Sequence, residues 1–197
     1  MGKHFISAGL LSAAMVISGA AHAADWTLDG AASQIAFGSI KNDYNGESHV
    51  FTGLSGGVKG GMADITIDLT SVDTRIDIRN ERMGEHVFKG MASAALTAEM
   101  DMSAMEALAP GESTTIELDA TLTLLGEEVP VFTPVFVTRV GDDKVMVTSD
   151  ELIYLATDEL GVDEGIDMLQ SLAKLDNIAR SVPITFRLMF NEGDQQS

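Results

Sequence analysis

Between Asp64 and Thr70 apolar and polar positions alternate without exception. Ile65, Ile67 and Leu69 fall on one side; Asp64, Thr66, Asp68 and Thr70 fall on the other. A period of two belongs to a strand with one face buried and one in water. The same rhythm sets Ile116, Leu118, Ala120, Leu122 and Leu124 against Glu117, Asp119, Thr121 and Thr123, and it carries Val182, Ile184, Phe186, Leu188 and Phe190 near the C-terminus. Shorter extended runs are expected at Trp26 to Leu28, from Ile35 through Phe37, His49 to Leu54, Ala92 to Met100, Val129 to Arg139 and Lys144 to Ser149. Turn signals separate them: Asp29-Gly30, Asn42 to Gly46, the glycine pairs 56–57 and 60–61, Ala109 to Glu112, Gly126 to Glu128 and Gly141 to Asp143. Strands at this spacing predict an all-β sandwich or barrel.

Two stretches follow helical spacing instead. After Ser71 the alternation stops, and Thr74-Arg75-Ile76-Asp77 fits a helix-start box, with the Thr hydroxyl on an orphan amide. Ile76, Met83 and Val87 would then form one apolar stripe. Asp163 to Leu175 carries Ile166, Leu169, Leu172 and Ala173 at helical intervals behind an acidic first turn. The preceding Ser149 to Val162 has no clear period and is expected to include irregular loop.

The first 23 residues stand apart. A weakly basic start, an apolar run from Phe5 to Ile17 and a small-x-small site at Ala21-His22-Ala23 make a signal peptide cleaved after Ala23. The run is shorter than the ~20 residues of a spanning helix. Residues 24–197 then form one domain, and 45% hydrophobic residues over the chain suffice for a core.

Charge narrows the partners. The 197-residue chain has a formal charge of −18, and losing Lys3 with the leader makes it −19. That argues against nucleic acid and against docking on anionic lipid. No cysteine is present, so thiol chemistry is excluded.

Catalytic signals are sparse. His49 and His86 do not form a ligand-spaced cluster, and Asp158, Glu159, Asp163, Glu164 and Asp167 lack calcium-loop spacing, so no metal site is expected. The glycine-rich segment 53–61 leads into a strand and reads as a turn, not a phosphate cradle. Arg75, Arg79 and Arg82 are conspicuous in so acidic a chain; they either pair with nearby carboxylates or meet a polar head group. Inward alanines (Ala92, Ala94, Ala98, Ala120) and several methionines are compatible with a lined cavity or with a packed core.

Ser71-Val72-Asp73-Thr74, then Arg79-Asn80-Glu81-Arg82-Met83 and Val87-Phe88, resemble the signature of the YceI-like family. Trp26 to Asp29 with Ile35 and Phe37 is similar to that family's first two strands, and Leu122 to Val131 to its Leu-Thr-Leu-x-Gly-x-x-x-Pro-Val hairpin. Asn80 and Arg82 stand where the family has Asp and His, and the Asp163 helix resembles an insertion. The resemblance implies an eight-stranded antiparallel lipocalin-like barrel with one or two short helices, exported to the periplasm. It further implies a polyisoprenoid or isoprenoid quinone in the lumen.

On that reading the protein is a binding or carrier protein, not an enzyme, and needs no other cofactor or metal. Its partner is a long-chain isoprenoid lipid, without stable membrane insertion; a homodimer is compatible with the sequence. The expected ligand-binding residues are Ile35, Phe37, Ile65, Ile67, Leu69, Leu96, Ile116, Leu118, Leu122, Val131, Ile184 and Phe186, with Arg79 at the head group. Two rivals remain: a hydrolase or other enzyme on an envelope lipid or glycan, and a barrel with a filled core. An outer-membrane barrel fits poorly, because the outward Glu117, Asp119, Thr121 and Thr123 are polar.

Overall fold

A computed structural model of the chain describes residues 25–100 and 102–193. The expected signal peptide lies outside the described residues. Twelve strand segments occur in chain order: β1 Trp26–Leu28, β2 Gln34–Lys41, β3 Asn45–Phe51, β4 Leu54–Lys59, β5 Met62–Asp68, β6 Val72–Asp73, β7 Ser93–Glu99, β8 Ser113–Leu124, β9 Glu127–Gly141, β10 Lys144–Ser149, β11 Ile153–Ala156 and β12 Ser181–Glu192. Four pairs of segments, β1/β2, β3/β4, β5/β6 and β10/β11, are single runs of chain broken by a bend, so the wall has eight staves. The path β1-β4-β5-β7-β8-β9-β10-β12 returns to β1, because β12 pairs with both β10 and β1. Closure leaves no sheet edge along this ring. The expected eight-stranded antiparallel barrel is the fold.

Alternation did the local work. β5 reads exposed-buried in strict succession, and Val129, Val131, Thr133, Val135 and Val137 of β9 are all buried on the inner face. Among the described residues three short α-helices are added: α1 Asp77–Arg82, which continues as a π turn over Met83–Val87, α2 Ser103–Glu106 and α3 Asp163–Ala173.

Four local expectations need correction. Gly56 and Gly57 are not a turn but lie inside β4. A Cβ on Gly56 would sit 2.0 Å from the Asp64 carbonyl oxygen, and one on Gly57 2.2 Å from that of Trp26. These glycines let two neighbouring strands approach, and only Gly60-Gly61 turn the chain. Secondly, Ile153–Ala156 inside the supposedly irregular segment is a strand, because its backbone pairs with β12.

Thirdly, Thr74 does not cap α1. It is buried, and its N–H and hydroxyl both donate to Asn80 Oδ1, at 2.9 and 2.6 Å. The helix side chain thus satisfies the loop, the reverse of an N-cap, and Ile76 occupies the cap position without a side-chain bond. Fourthly, Ile76 is 46% exposed and leaves the stripe, whereas Met83 and Val87 are buried.

The two ends of the barrel differ. At one, Trp26, Val58, Ile65, Met105 and Phe190 belong to the buried core, and Met102 at the N-cap of α2 and Met105 within it plug the opening. Arg139 places its guanidinium 5.5 Å from the centre of the Trp26 ring and pairs with Glu192 at 3.2 Å. At the other end α1, its π turn and α3 cover the staves. Gly165 of α3 lies so near the π turn that a Cβ there would be 2.5 Å from the His86 carbonyl oxygen.

Candidate functional site

Two adjoining cavities occupy the helix-covered end. The inner one, of about 140 Å³, is walled by Ile35 and Phe37 of β2, Phe51 of β3, Ile67, Leu69, Ala94, Leu122, Leu124, Leu155, Val182 and Ile184. Met83, Val87 and Phe88 close it from the π turn, and Leu160, Val162 and Ile166 from the start of α3; Thr157 is the one polar lining residue. The outer cavity, of about 380 Å³, shares Phe37, Met83, Thr157, Ile166 and Val182 with it and opens between β2, α1 and α3. A third space of about 40 Å³ lies in the plugged end, among Ile65, Leu96, Ala98, Leu118 and Phe186.

The lining changes character along one strand pair. Ile35 lies opposite Phe51, Phe37 opposite His49 and Ser39 opposite Glu47 in the β2–β3 ladder. Moving outwards, apolar pairs give way to polar ones on the same inner face. Aromatic contacts follow the same line: His49 to Phe37, with centroids 5.1 Å apart, Phe37 to Phe51 at 5.2 Å and Phe51 to Phe88 at 5.9 Å. Such pairs fix the wall beyond what area burial supplies.

The polar pole is built around Glu47. Lys41 Nζ donates to Glu47 Oε1 at 2.7 Å, and Arg79 pairs with Oε2. Arg79 also donates from Nη2 to the Thr74 carbonyl at 2.7 Å, which ties α1 to the strand wall. The Lys41 hydrogen bond, supported by Arg79, holds the Glu47 carboxyl below its ordinary range despite partial burial. His49 is 3% exposed, with Nε2 2.8 Å from Ser39 Oγ. Burial first, and then the Arg79 charge, lowers its pKa to about 4, so the ring is neutral at ordinary pH. His49 Nδ1 and Arg79 Nε are buried without a hydrogen-bond partner among the described residues. Both side chains line the outer cavity.

Six of the expected residues meet at the inner cavity: Ile35, Phe37, Ile67, Leu69, Leu122 and Ile184. Arg79 lines the outer one and pairs there with the Glu47 carboxylate. Ile65, Leu96, Leu118 and Phe186 face the small space at the plugged end instead. Ile116 and Val131 border none of the three, although both belong to the core. Val131 ends a ladder row with Ala63, Ala98 and Ala120, all of them buried; Ala63 and Ala98 border the small space, Ala120 and Val131 none.

Sequence reasoning missed His49, Ser39, Phe51, Met83, Phe88 and the whole α3 wall. On β3, Glu47, His49 and Phe51 share one parity, so their inward direction was readable. The contribution of α3 was not, since only tertiary contact lays Ile166 over the lumen.

The acidic residues near α3 are engaged otherwise. Asp163 accepts a hydrogen bond from Thr157 and pairs with Arg180 at 3.6 Å, and Asp167 pairs with Arg180 as well. No group of three or more metal-type ligands occurs among the described residues. Among them, too, no helix is long and apolar enough to cross a membrane.

Comparison with known proteins agrees with this architecture. The YceI-like domain matches residues 26–190. A polyisoprenoid binding domain from Saccharophagus degradans, implicated in plant cell wall breakdown, superposes with a TM-score of 0.83 at 34% identity, covering 85% of this chain and 98% of that one. BcnA of Burkholderia cenocepacia shares the fold with a TM-score of 0.63 at 21% identity, covering 82% of this chain and 98% of its own. No curated protein matches the sequence. The chain belongs to the YceI-like family.

Proposed function

We propose that this YceI-like chain binds a long-chain isoprenoid lipid and carries it through an aqueous compartment, without chemical conversion. The observation that carries the reading is the gradient from an apolar inner cavity to a polar outer one. A prenyl tail fits the first, and its oxygen-bearing end the second. Each CH₂ removed from water contributes about 0.8 kcal/mol, so a few isoprene units offset the cost of ordering the tail. Closed eight-stranded barrels have interiors that side chains fill or that hold one small ligand, and the two adjoining cavities favour the second here. The Saccharophagus relative, described as polyisoprenoid binding, supports the same class of cargo.

The pole favours a head group with acceptor oxygens and little charge. Arg79 Nε is a donor without an acceptor, whereas Glu47 already balances one of the two cations beside it. A quinone carbonyl or prenol hydroxyl meets that demand. The signal pattern at the N-terminus supports a periplasmic carrier.

Native mass spectrometry of the protein purified from its own cell envelope tests the proposal, followed by solvent extraction. A reproducible adduct of isoprenoid mass is expected. Protein that repeatedly comes out empty, and that ignores added polyprenol or quinone, would overturn it.

A further inference from the structure

A cargo that leaves water for the lumen must pass the mouth, and one segment of that mouth sets exposed isoleucines among arginines. Ile76 and Ile78 line the outer cavity, yet they are 46% and 50% exposed. Between the strand wall and α1, Arg75 takes a left-handed backbone (φ 62°), held by its N–H donating to Asp73 Oδ1 at 2.7 Å. Such a conformation is disfavoured for a residue with a Cβ. Arg75 and Arg82 form no ion pair among the described residues, unlike Arg79 beside them. With Arg79 neutralised by Glu47, Arg75 and Arg82 balance Asp77 and Glu81, so residues 75–82 lack the acidic excess of a chain of charge −18.

We propose that residues 75–82 dock the mouth onto a phospholipid leaflet, with Ile76 and Ile78 entering the acyl boundary and Arg75 and Arg82 on lipid phosphates. Charge complementarity selects this occupant: two unpaired guanidinium groups flank two isoleucines, as an interfacial segment requires. The position selects it too, because the isoleucines are continuous with the cavity wall, and cargo moving along them avoids bulk water. A net-neutral leaflet is the appropriate one, since the acidic body is repelled by an anionic surface. The inference rests on the carrier reading for its purpose but not for its test.

The chain has no cysteine, so a single introduced thiol can carry an environment-sensitive label. Ile78→Cys and, as control, Thr97→Cys on the exposed wall of β7 are labelled with a nitrobenzoxadiazole dye and titrated, without cargo, with phosphatidylcholine–phosphatidylethanolamine vesicles. A blue shift with rising intensity is expected at position 78 only. Arg75→Glu in the Ile78→Cys background should weaken vesicle binding, because a carboxylate replaces a donor to lipid phosphate. An unchanged spectrum at position 78, equal responses at both positions, or no effect of Arg75→Glu would each overturn the docking. Loss of cargo binding in the separate mass-spectrometric experiment would overturn the carrier reading alone.

Discussion

Phe37 and His49 face each other across the β2–β3 ladder with ring centroids 5.1 Å apart, and the lumen changes from apolar to polar at that pair. Inward of it lie Ile35 and Phe51; outward lie Ser39, Lys41 and Glu47. The imidazole is thus pressed on one side by an aromatic wall and held on the other by a hydroxyl. Burial first, and then the Arg79 charge, keep it neutral.

That neutrality has a pH signature. An unfolded histidine titrates near 6.5 and His49 near 4 in the fold, so the unfolded chain takes up the proton first as pH falls. The stability His49 contributes is complete above about pH 6.5 and is lost progressively down to about pH 4, by up to roughly 3 kcal/mol. Urea midpoints across pH 4–7 should fall in the wild type and fall less in His49→Gln. Parallel curves for the two proteins would contradict the burial assigned to the ring. Glu47, whose carboxyl is also held low, adds to acid destabilisation in the same direction at the lower end of the range.

Two alanines of the same inner face should respond oppositely to enlargement. Ala94 borders the inner cavity, whereas Ala120 is packed between Ala98 and Val131. Ala94→Phe is expected to abolish binding of a prenyl probe with little change in the melting temperature of delipidated protein. Ala120→Phe should cost roughly 1–3 kcal/mol by overpacking. Equal destabilisation by both would mean that the lumen is filled.

Gly165→Ala sets helix propensity against packing. Alanine gains about 1 kcal/mol over glycine in a helix interior. Here its methyl carbon would lie 2.5 Å from the His86 carbonyl oxygen and 2.6 Å from Val87 Cα, so backbone must move. We expect net destabilisation of about 1–3 kcal/mol and earlier proteolysis within α3, scored by limited digestion. A raised melting temperature would refute the close packing of α3 on the π turn.

Asn80 is the hinge pin of the Thr74 loop. Asn80→Ala leaves the buried Thr74 N–H and hydroxyl without their acceptor, at about 1–3 kcal/mol. Asn80→Asp keeps an acceptor oxygen in place and should retain most of the stability. Chemical denaturation of the two variants distinguishes them, and identical losses would assign the effect to helix propensity instead.

The alternation of Ile65, Ile67 and Leu69 with its polar partners, and the same rhythm in β8 and β12, determined strands, their inner faces and the limits of α3 to within two residues. Those properties depend on neighbours within a few residues, which is why the chain displays them locally. Closure of the barrel was a different matter. Trp26 meets Glu192 and Leu28 meets Phe190 from opposite ends of the sequence, and no local pattern carries that register. The same holds for Gly56 and Gly57, which read as a turn until the carbonyls of Asp64 and Trp26 are seen beside them. Only the assembled wall placed His49 against Phe37, emptied the space behind Ile35, and left Leu118 and Phe186 in the plugged end. Periodicity says which way a side chain points; what it meets there is decided by strands and helices distant in sequence.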